Sequence, residues 1–235
     1  ASLITANYIT INGLASTAVG GWVTYIGALT INSAATGGDI TITATGASAG
    51  GGNGLYQSGT VTGANGSDVT FTSNNAISQN GAVSLAANTN GSAATLLYDT
   101  TGGNKLSTIT SGTLTIGAGS TSDINFIMKS AGGALNPGLI ATSSARLPGT
   151  VTLDNTYGGS SPASGYITTS NIATYATTSV GVTINNAIYS TKLISIKGIS
   201  NGSQGISYSA VMNVSAAGIE LTGTTSNNYG VYTSN

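Results

Sequence analysis

Six carboxylates carry most of the potential for acid–base chemistry in this chain. They are Asp39, Asp68, Asp99, Asp123, Asp154 and Glu220. An enzyme that cleaves polysaccharides needs two carboxyl groups held close together as acid and base. Asp99 and Asp123 have a spacing in the sequence that could place them on adjacent turns of a repetitive fold. We interpret both as solvated corner residues, because the six acids are otherwise widely scattered.

Nucleophilic catalysis has few candidate residues. The chain contains no His and no Cys, which excludes Ser-His-Asp triads, Cys-His dyads and the common zinc sites. Ser195 lies near Lys192 and Lys197 in the sequence, but Ser and Lys flank many ordinary strands. The sequence therefore predicts no catalytic residue and no cofactor, and an enzyme is the least favoured class.

One segment is similar to a calcium-binding repeat. Residues 63–70 (Gly-Ala-Asn-Gly-Ser-Asp-Val-Thr) partly match the nonapeptide that holds Ca²⁺ between turns of repeats-in-toxin proteins. Ala64 replaces an expected Gly, and Thr70 replaces an apolar residue. The motif also occurs once, whereas such a site needs a neighbouring repeat to complete its oxygen ligands. We predict a plain turn in which Asp68 opens a strand, and no metal site.

Short alternating apolar segments must position all these residues. Alternation of apolar and polar residues with β-branched side chains is typical of strands. No window of the chain keeps the apolar spacing of an amphipathic helix, so the chain is predicted to be ordered and all-β. The segments begin at Ile9, Leu29, Ile40, Val69, Val83, Leu114, Ile124, Val151, Val182, Ile194 and Ile219.

Turn-forming residues separate the segments and leave two architectures open. Pairs such as Asn65-Gly66, Asn80-Gly81 and Asn201-Gly202 favour tight corners, and they are also typical of antiparallel hairpins. Very short strands and few aromatic residues favour a β-solenoid. The alternative is an antiparallel β-sandwich.

The scarcity of charge supports the solenoid. The chain has only 5 Lys or Arg and 6 Asp or Glu among 235 residues. In a parallel coil each residue stacks on its counterpart in the next coil, about 4.8 Å away, where like charges repel. With a formal net charge of −1, the chain also lacks the basic surface that binding to nucleic acid requires. No apolar run approaches the ~18 residues of a membrane span, so no membrane insertion is expected.

The spacing of the segments predicts the dimensions of the rod. Segments recur about every 10 to 14 residues, which suggests roughly 20 to 25 residues per coil, about ten coils and ~50 Å of rod. Residues 1–235 are expected to form one elongated domain. Neither end resembles a cap, so we expect a segment of a longer rod or a subunit that stacks end to end.

Three stretches are similar to a known group of proteins. Residues 81–88, 111–117 and 217–223 share a Gly-x-aliphatic-x-aliphatic pattern. This pattern resembles the β-helical repeats of secreted adhesins of the filamentous-haemagglutinin and autotransporter-passenger type. The resemblance implies a right-handed parallel β-helix outside the cell, exposed for attachment or filament building. Spacing is irregular over residues 126–150 and 154–181, which allows extra-helical loops there.

Two sets of surface residues could bind a ligand. If the Thr-x-Thr motifs stacked on one flat face, they would form a hydroxyl and methyl array of the ice-binding kind, although Thr is also simply favoured on strands. The motifs lie at 41–43, 43–45, 60–62, 70–72, 108–110, 113–115 and 150–152. Tyrosines in the second half could stack on glycans, or could be ordinary strand residues. These are Tyr157, Tyr166, Tyr175, Tyr189 and Tyr208.

The functional expectation is structural. The chain is predicted to be a non-enzymatic, extracellular or cell-surface segment of an adhesin or surface filament, forming a stiff rod of low charge. Its expected partners are copies of itself or further repeats, and host-surface, cell-surface or glycan ligands. The alternatives are a pilus-like β-sandwich subunit that polymerises by strand donation, and a carbohydrate- or ice-binding β-solenoid.

Overall fold

The structure is a computed structural model. It describes residues 2–15, 22–34, 36–46, 53–64, 66–85, 93–103, 106–117, 122–157, 166–167 and 169–234.

The described residues form short strands and one short helix. The first twelve strands are β1 (Leu3–Ala6), β2 (Ile9–Ala15), β3 (Thr24–Tyr25), β4 (Thr30–Ser33), β5 (Ile40–Gly46), β6 (Asn53–Gln57), β7 (Val61–Gly63), β8 (Val69–Ser73), β9 (Ala76–Gln79), β10 (Val83–Leu85), β11 (Ala94–Asp99) and β12 (Ile109–Thr110). The remainder are β13 (Leu114–Ile116), β14 (Ile124–Lys129), β15 (Leu135–Asn136), β16 (Val151–Asp154), α1 (Ile172–Tyr175), β17 (Val182–Ile184), β18 (Ile188–Ser190), β19 (Ile194–Ser200), β20 (Ile206–Tyr208), β21 (Met212–Val214), β22 (Ile219–Thr225) and β23 (Val231–Thr233).

The strands stack into a β-solenoid with three faces. Face 1 contains β1, β4, β7, β10 and β13, and single bridges through Ile140 connect it to β18 and β21. Face 2 contains β2, β5, β8, β11, β14, β16, β19 and β22. Face 3 contains β3, β6, β9, β12, β15, β17, β20 and β23. One strand from each face makes one coil, except in the coil that contains β16 and β17, where the bridges at Ile140 and Leu147 replace a strand on face 1.

The strand pairing decides between the two predicted architectures. Every pairing between these strands is parallel; antiparallel bridges join only Ala131 to Thr156 and Tyr157 to Tyr166 among the described residues. The parallel β-helix is therefore confirmed, and the β-sandwich alternative is wrong. Asn80-Gly81 shows why the hairpin signal misled: it forms a corner between β9 and β10, which lie on different faces.

The coils are longer and fewer than the sequence spacing predicted. Equivalent positions in the successive coils of face 2 are Ile9, Ile40, Val69, Leu96, Phe126, Val151, Ile194 and Ile219. Most of these intervals exceed the predicted coil length, and the interval from Val151 to Ile194 is the longest. The predicted coil holds two of the apolar segments, whereas each coil here contains three strands. The 8-stranded faces therefore span only about 34 Å at ~4.8 Å per step.

The interior is filled by columns of apolar side chains that run along the rod. On face 2, Ile42, Phe71, Tyr98 and Met128 occupy one column in successive coils, and all four are fully buried. The Tyr98 ring stacks on Phe71, with centroids 5.0 Å apart and planes 8° apart. It also contacts Phe126 at a centroid distance of 5.8 Å. Because each side chain packs on its counterparts in adjacent coils, the coils cannot fold independently.

Corners between face 3 and face 1 are closed by a column of glycines. Gly59, Gly81, Gly112 and Gly138 lie above one another in successive coils. A Cβ atom at Gly81 would overlap the carbonyl oxygen of Gly59, and one at Gly112 would overlap that of Gly81. Glycine is therefore required here by close backbone approach.

Both regions of irregular spacing contain residues that leave the solenoid, as the sequence allowed. Within residues 126–150, Ile140 bridges to Ile188 and Leu147 bridges to Ser190, so seven steps of this coil lie opposite two of the next one, and the extra residues form a small, largely exposed loop. A loop outside the solenoid also connects β16 to β17 in the described part of residues 154–181, from which 158–165 and 168 are excluded. It contains α1 and accounts for the long interval between Val151 and Ile194. Ile167, Ile172, Ala176 and Ile199 form a second small core beneath it.

Candidate functional surfaces

The structure separates the two acids that were considered as a catalytic pair. Asp99 lies opposite Lys129 at the end of face 2, whereas Asp123 lies six residues before Lys129, where the same face begins. The two carboxylates are consequently about 20 Å apart along the extended chain. Glycosidic acid–base pairs lie roughly 5 to 9.5 Å apart. Asp99 and Asp123 therefore form no such pair.

Asp99 instead begins a column of alternating charges on the outer surface of face 2. Asp99, Lys129, Asp154 and Lys197 are direct neighbours in four successive coils. Lys129 Nζ lies 2.9 Å from Asp99 Oδ2, and Lys197 Nζ lies 3.8 Å from Asp154 Oδ2. In this column the sign of the charge alternates from coil to coil, so no like charges are direct neighbours within it.

Each acid of the column is anchored by its own turn. The Asp99 carboxylate accepts hydrogen bonds from the backbone N–H and the hydroxyl of Thr101, at 2.8 and 2.7 Å. Asp154 accepts the same pair of bonds from Thr156, at 2.9 and 2.6 Å. The repeated Asp-x-Thr sequence fixes both carboxylates toward the lysines. The sequence did not reveal this column, because the intervals between its members match no constant period.

We predict that Lys129→Glu destabilises the solenoid strongly. The substitution would place three carboxylates in adjacent coils at ~4.8 Å spacing, and two of them are largely shielded from solvent. At an effective dielectric constant near 20, repulsion at this distance costs about 3 kcal/mol. The new carboxylate has such a neighbour on each side, so the free energy of unfolding should fall by at least the cost of one pair, about 3 kcal/mol, and Tm by at least roughly 6 °C. Urea titration and thermal melting followed by circular dichroism measure both quantities.

Lys192→Glu is the matched control for this prediction. Lys192 Nζ lies 2.6 Å from Asp123 Oδ1, and both side chains are nearly half exposed. Exposed ion pairs contribute about 0 to 1 kcal/mol, so the control should lose no more than that. Equal losses in the two variants would show that the column has no special electrostatic role.

Asp68 belongs to a second column, at the start of face 2, which caps backbone groups. The backbone N–H of Asp68 donates to Asp39 Oδ1 at 3.0 Å, and that of Thr95 donates to Asp68 Oδ1 at 2.7 Å. Asn125 Oδ1 accepts from the Thr150 backbone N–H at 3.0 Å in the same way. Each side chain thus links its coil to the next one.

The resemblance to a calcium repeat is explained by this column. Asp68 directly precedes β8, as predicted for a turn that opens a strand, and its carboxylate accepts a backbone N–H. Asn65 of the motif lies outside the described residues. Within the residues that the structure does describe, no group of three or more Asp or Glu side chains could hold a metal ion.

We predict that Asp68→Asn stabilises the protein at neutral pH. Partial burial of the carboxylate, and then the nearby Asp39 charge, raise the pKa of Asp68 above 3.8. In the pH range between 3.8 and that raised pKa, the native state binds more protons than the unfolded state, so Asp68 lowers stability as the pH rises. Asn keeps the acceptor for Thr95, as Asn125 does for Thr150.

Thermal melting at two pH values tests this prediction. At pH 7 the Asp68→Asn variant should melt about 1 to 3 °C above the parent, which corresponds to less than about 1 kcal/mol. At pH 3 the difference should vanish, because Asp68 is protonated in both states. Asp123→Asn, which loses a lysine partner, should show no gain at pH 7. A lower Tm for Asp68→Asn at pH 7 would contradict the prediction.

The Ser-Lys combinations considered for nucleophilic catalysis are not assembled. Ser195 lies on the outer surface of face 2, between Thr152 and Glu220 of adjacent coils. Lys192 is paired with Asp123, and Lys197 is paired with Asp154. Both lysines are thus paired with carboxylates rather than with Ser195.

The Thr-x-Thr motifs are distributed over all three faces. Those at 41–43, 43–45, 70–72 and 150–152 belong to face 2, those at 60–62 and 113–115 to face 1, and that at 108–110 to face 3. The condition of a single flat face therefore fails for the whole set. A smaller array remains on face 2, where Thr10, Thr41 and Thr70 form one column beside Thr43 and Thr72.

The five tyrosines of the second half form no common surface. Tyr157 and Tyr166 contact each other beside the extra-helical loop, with ring centroids 5.1 Å apart. Burial, and then the hydrogen bond with Tyr166, raise the pKa of Tyr157 to about 12. Tyr175 packs on the second small core, and Tyr208 packs on the main core. Tyr189 lies on face 1 beneath the Arg146 guanidinium, 5.5 Å from its ring centroid.

A different group of aromatic residues lies together on face 3. The rings of Tyr25 and Tyr56 stack with centroids 4.9 Å apart and planes 8° apart, and Trp22 lies 5.2 Å from Tyr56. Tyr25 is 67% exposed. This group could not be predicted from the sequence, since Tyr25 and Tyr56 become neighbours only when the length of their coil is known.

No helix in the described ranges is both long enough and apolar enough to cross a membrane. Comparisons with protein-family models, with curated proteins and with solved structures give no match to this chain.

Proposed function

We propose that this chain is a non-enzymatic structural rod that serves as a segment of an extracellular adhesin or surface filament. The observation that supports the proposal is the continuous parallel stack from β1 to β23, with an apolar interior. Side chains and backbone groups of each coil bind the next coil, as in the Asp68–Thr95 and Asn125–Thr150 links. Such a stack resists bending and presents three long side surfaces to partners.

The outer chemistry of the rod is consistent with this role. Charged residues on face 2 are paired along the column from Asp99 to Lys197, and hydroxyl and amide side chains occupy most other outward positions. Neutral outer columns let neighbouring coils approach without repulsion. Host-surface, cell-surface or glycan ligands would contact these sides.

Localisation and attachment in the source cells test the proposal. Antibodies against the purified chain should label intact, unpermeabilised cells or the surrounding medium. Deletion of the coding segment should lower attachment to surfaces severalfold, without slowing growth in suspension. Labelling that requires permeabilisation would overturn the extracellular assignment, and unchanged attachment would overturn the adhesive role.

A carbohydrate- or ice-binding module is the second candidate, and the threonine array on face 2 supports it. Thr41, Thr43, Thr70 and Thr72 lie on a grid of about 4.8 Å between coils and about 6.8 Å along each strand. Thr43→Lys should abolish ice shaping or glycan retention without unfolding the protein. Thr183→Lys, on face 3, is the control and should retain binding. An effect of Thr183→Lys equal to that of Thr43→Lys would contradict a role for this array.

A further inference from the structure

Both ends of the solenoid present open strand edges. Among the described residues, β1, β2 and β3 are paired on one side only, and so are β21, β22 and β23 at the other end. Each of these two terminal coils contributes thirteen strand residues. Unpaired strand edges are templates for adding a further strand.

The two edges match each other on face 2. Both β2 and β22 have seven residues, Ile-Thr-Ile-Asn-Gly-Leu-Ala and Ile-Glu-Leu-Thr-Gly-Thr-Thr. Apolar residues occupy the first and third positions of each strand, and Gly occupies the fifth. A β2 strand placed below β22 would therefore continue the register that already joins β19 to β22.

The matching glycines show that the cross-section of the rod is similar at its two ends. A Cβ atom at Gly13 would overlap the Thr24 hydroxyl, and one at Gly223 would overlap the Gly230 carbonyl oxygen. Both ends are thus narrow at the corner between face 2 and face 3. Away from the ends, the same position holds the larger Ala44 and Ser73 in the second and third coils.

Faces 1 and 3 are compatible with the same contact between two copies, in which the first coil of one copy follows the last coil of the other. Tyr232 points outward on β23 in the column position that Tyr25 occupies on β3. Tyr25 already stacks on Tyr56 and is 67% exposed, so Tyr232 of another copy could extend this stack. On face 1, the partly buried Met212 would meet the partly buried Ile4. No like charges would meet on face 2, because Glu220 would face Thr10.

We propose that copies of this chain stack head to tail, with β1, β2 and β3 of one copy pairing in parallel with β21, β22 and β23 of the next. The proposal rests on the proposed function as a rod and names its partner as a second copy of the chain. The junction is heterologous and does not close, so it extends into a filament. Thirteen strand residues per side are fewer than the roughly 20 to 30 of a standard interface, so assembly should depend on concentration.

Disulfide trapping tests the junction directly, because the chain has no cysteine of its own. In the doubly substituted Thr10→Cys, Glu220→Cys chain, the two positions lie seven coil steps apart within one molecule, about 34 Å, too far for an internal disulfide. Across the proposed junction they are direct neighbours. Mild oxidation should give a ladder of covalent oligomers on a non-reducing gel, and the yield should rise with protein concentration.

Two further cysteine pairs complete the experiment. Ser195→Cys with Glu220→Cys joins neighbours within one chain and should give an internal disulfide, which shows that the coils are folded as described. Leu14→Cys with Glu220→Cys is shifted by four residues along the junction and should give at most a tenth of the ladder. A ladder of equal yield from the shifted pair, or only monomers from Thr10→Cys with Glu220→Cys, would overturn the head-to-tail junction. If the internal disulfide between positions 195 and 220 still forms, the proposed rod is supported even when the head-to-tail junction is overturned.

Discussion

Gly81→Ala is expected to destabilise the solenoid by more than about 4 kcal/mol. The added Cβ would overlap the carbonyl oxygen of Gly59 in the preceding coil. Both overlapping groups are tied to the backbone, so no side-chain rotation relieves the contact. The coils would have to separate at this corner, which breaks the hydrogen bonds between successive coils on face 3 and on face 1. Such a loss is a large share of the free energy of unfolding of a typical protein, which is about 5–15 kcal/mol.

Gly102→Ala is the matched control, since it makes the same chemical change at a corner with space. No atom lies within 4 Å of the Cβ position at Gly102, and its backbone is not in the left-handed region. Its free energy of unfolding should stay within about 0.5 kcal/mol of the parent. Soluble yield and urea titration compare the two variants. Similar stabilities would show that the corner column tolerates a side chain and that the coils are less tightly stacked than described.

The sequence predicts the inward-facing residues well, because burial imposes a local pattern. In segments such as Ile40-Thr-Ile42 and Val69-Thr-Phe71, the apolar residues are fully buried and the threonines between them point outward. The parallel stack also follows from sequence, through the scarcity of charge. Both inferences depend only on neighbours within a strand or on overall composition, which a single sequence contains.

The coil length and the outer columns could not be predicted from the sequence. They depend on which residues lie one coil apart, and the number of residues in the corners varies from coil to coil. The interval from Asp154 to Lys197 is much longer than that from Asp99 to Lys129, because the loop with α1 intervenes. Asp99 and Asp123 were compared on the assumption of a shorter coil, and the structure instead places Lys129 beside Asp99.

Buried glutamines were overlooked for a similar reason. Gln57 and Gln79 end β6 and β9, and both are fully buried although glutamine is usually exposed. Gln79 Nε2 donates to Gln57 Oε1 at 3.0 Å and also to the Gly81 carbonyl. Gln79 Oε1 accepts the Tyr98 hydroxyl at 2.8 Å and the Gly112 backbone N–H at 2.9 Å. One amide thus satisfies polar groups of three successive coils.

Gln79→Leu is therefore expected to cost at least about 4 kcal/mol, although it exchanges a polar side chain for an apolar one in an apolar interior. The substitution leaves the Tyr98 hydroxyl and the Gly112 N–H buried without their acceptor. Each orphaned buried group costs about 1 to 3 kcal/mol, and Gln57 loses a donor as well. Urea titration measures the loss. Gln204→Leu is the control, since Gln204 is only partly buried and its side chain accepts one bond, from Ser203; it should lose less than about 1 kcal/mol.

Combining Gln79→Leu with Tyr98→Phe separates the cost of the orphaned hydroxyl from the cost of altered packing. Tyr98→Phe alone should lose about 1 kcal/mol, since Gln79 Oε1 keeps the Gly112 N–H and the ring stays stacked on Phe71. In the double variant no hydroxyl remains to be orphaned, so its loss should be smaller than the sum of the single losses by about 1 to 2 kcal/mol. Additive losses would mean that the Tyr98–Gln79 bond contributes nothing specific. The destabilisation by Gln79→Leu would then come from the lost hydrogen bonds to Gly81 and Gly112. The glycine corner, rather than the aromatic column, would then contribute most to the binding between successive coils.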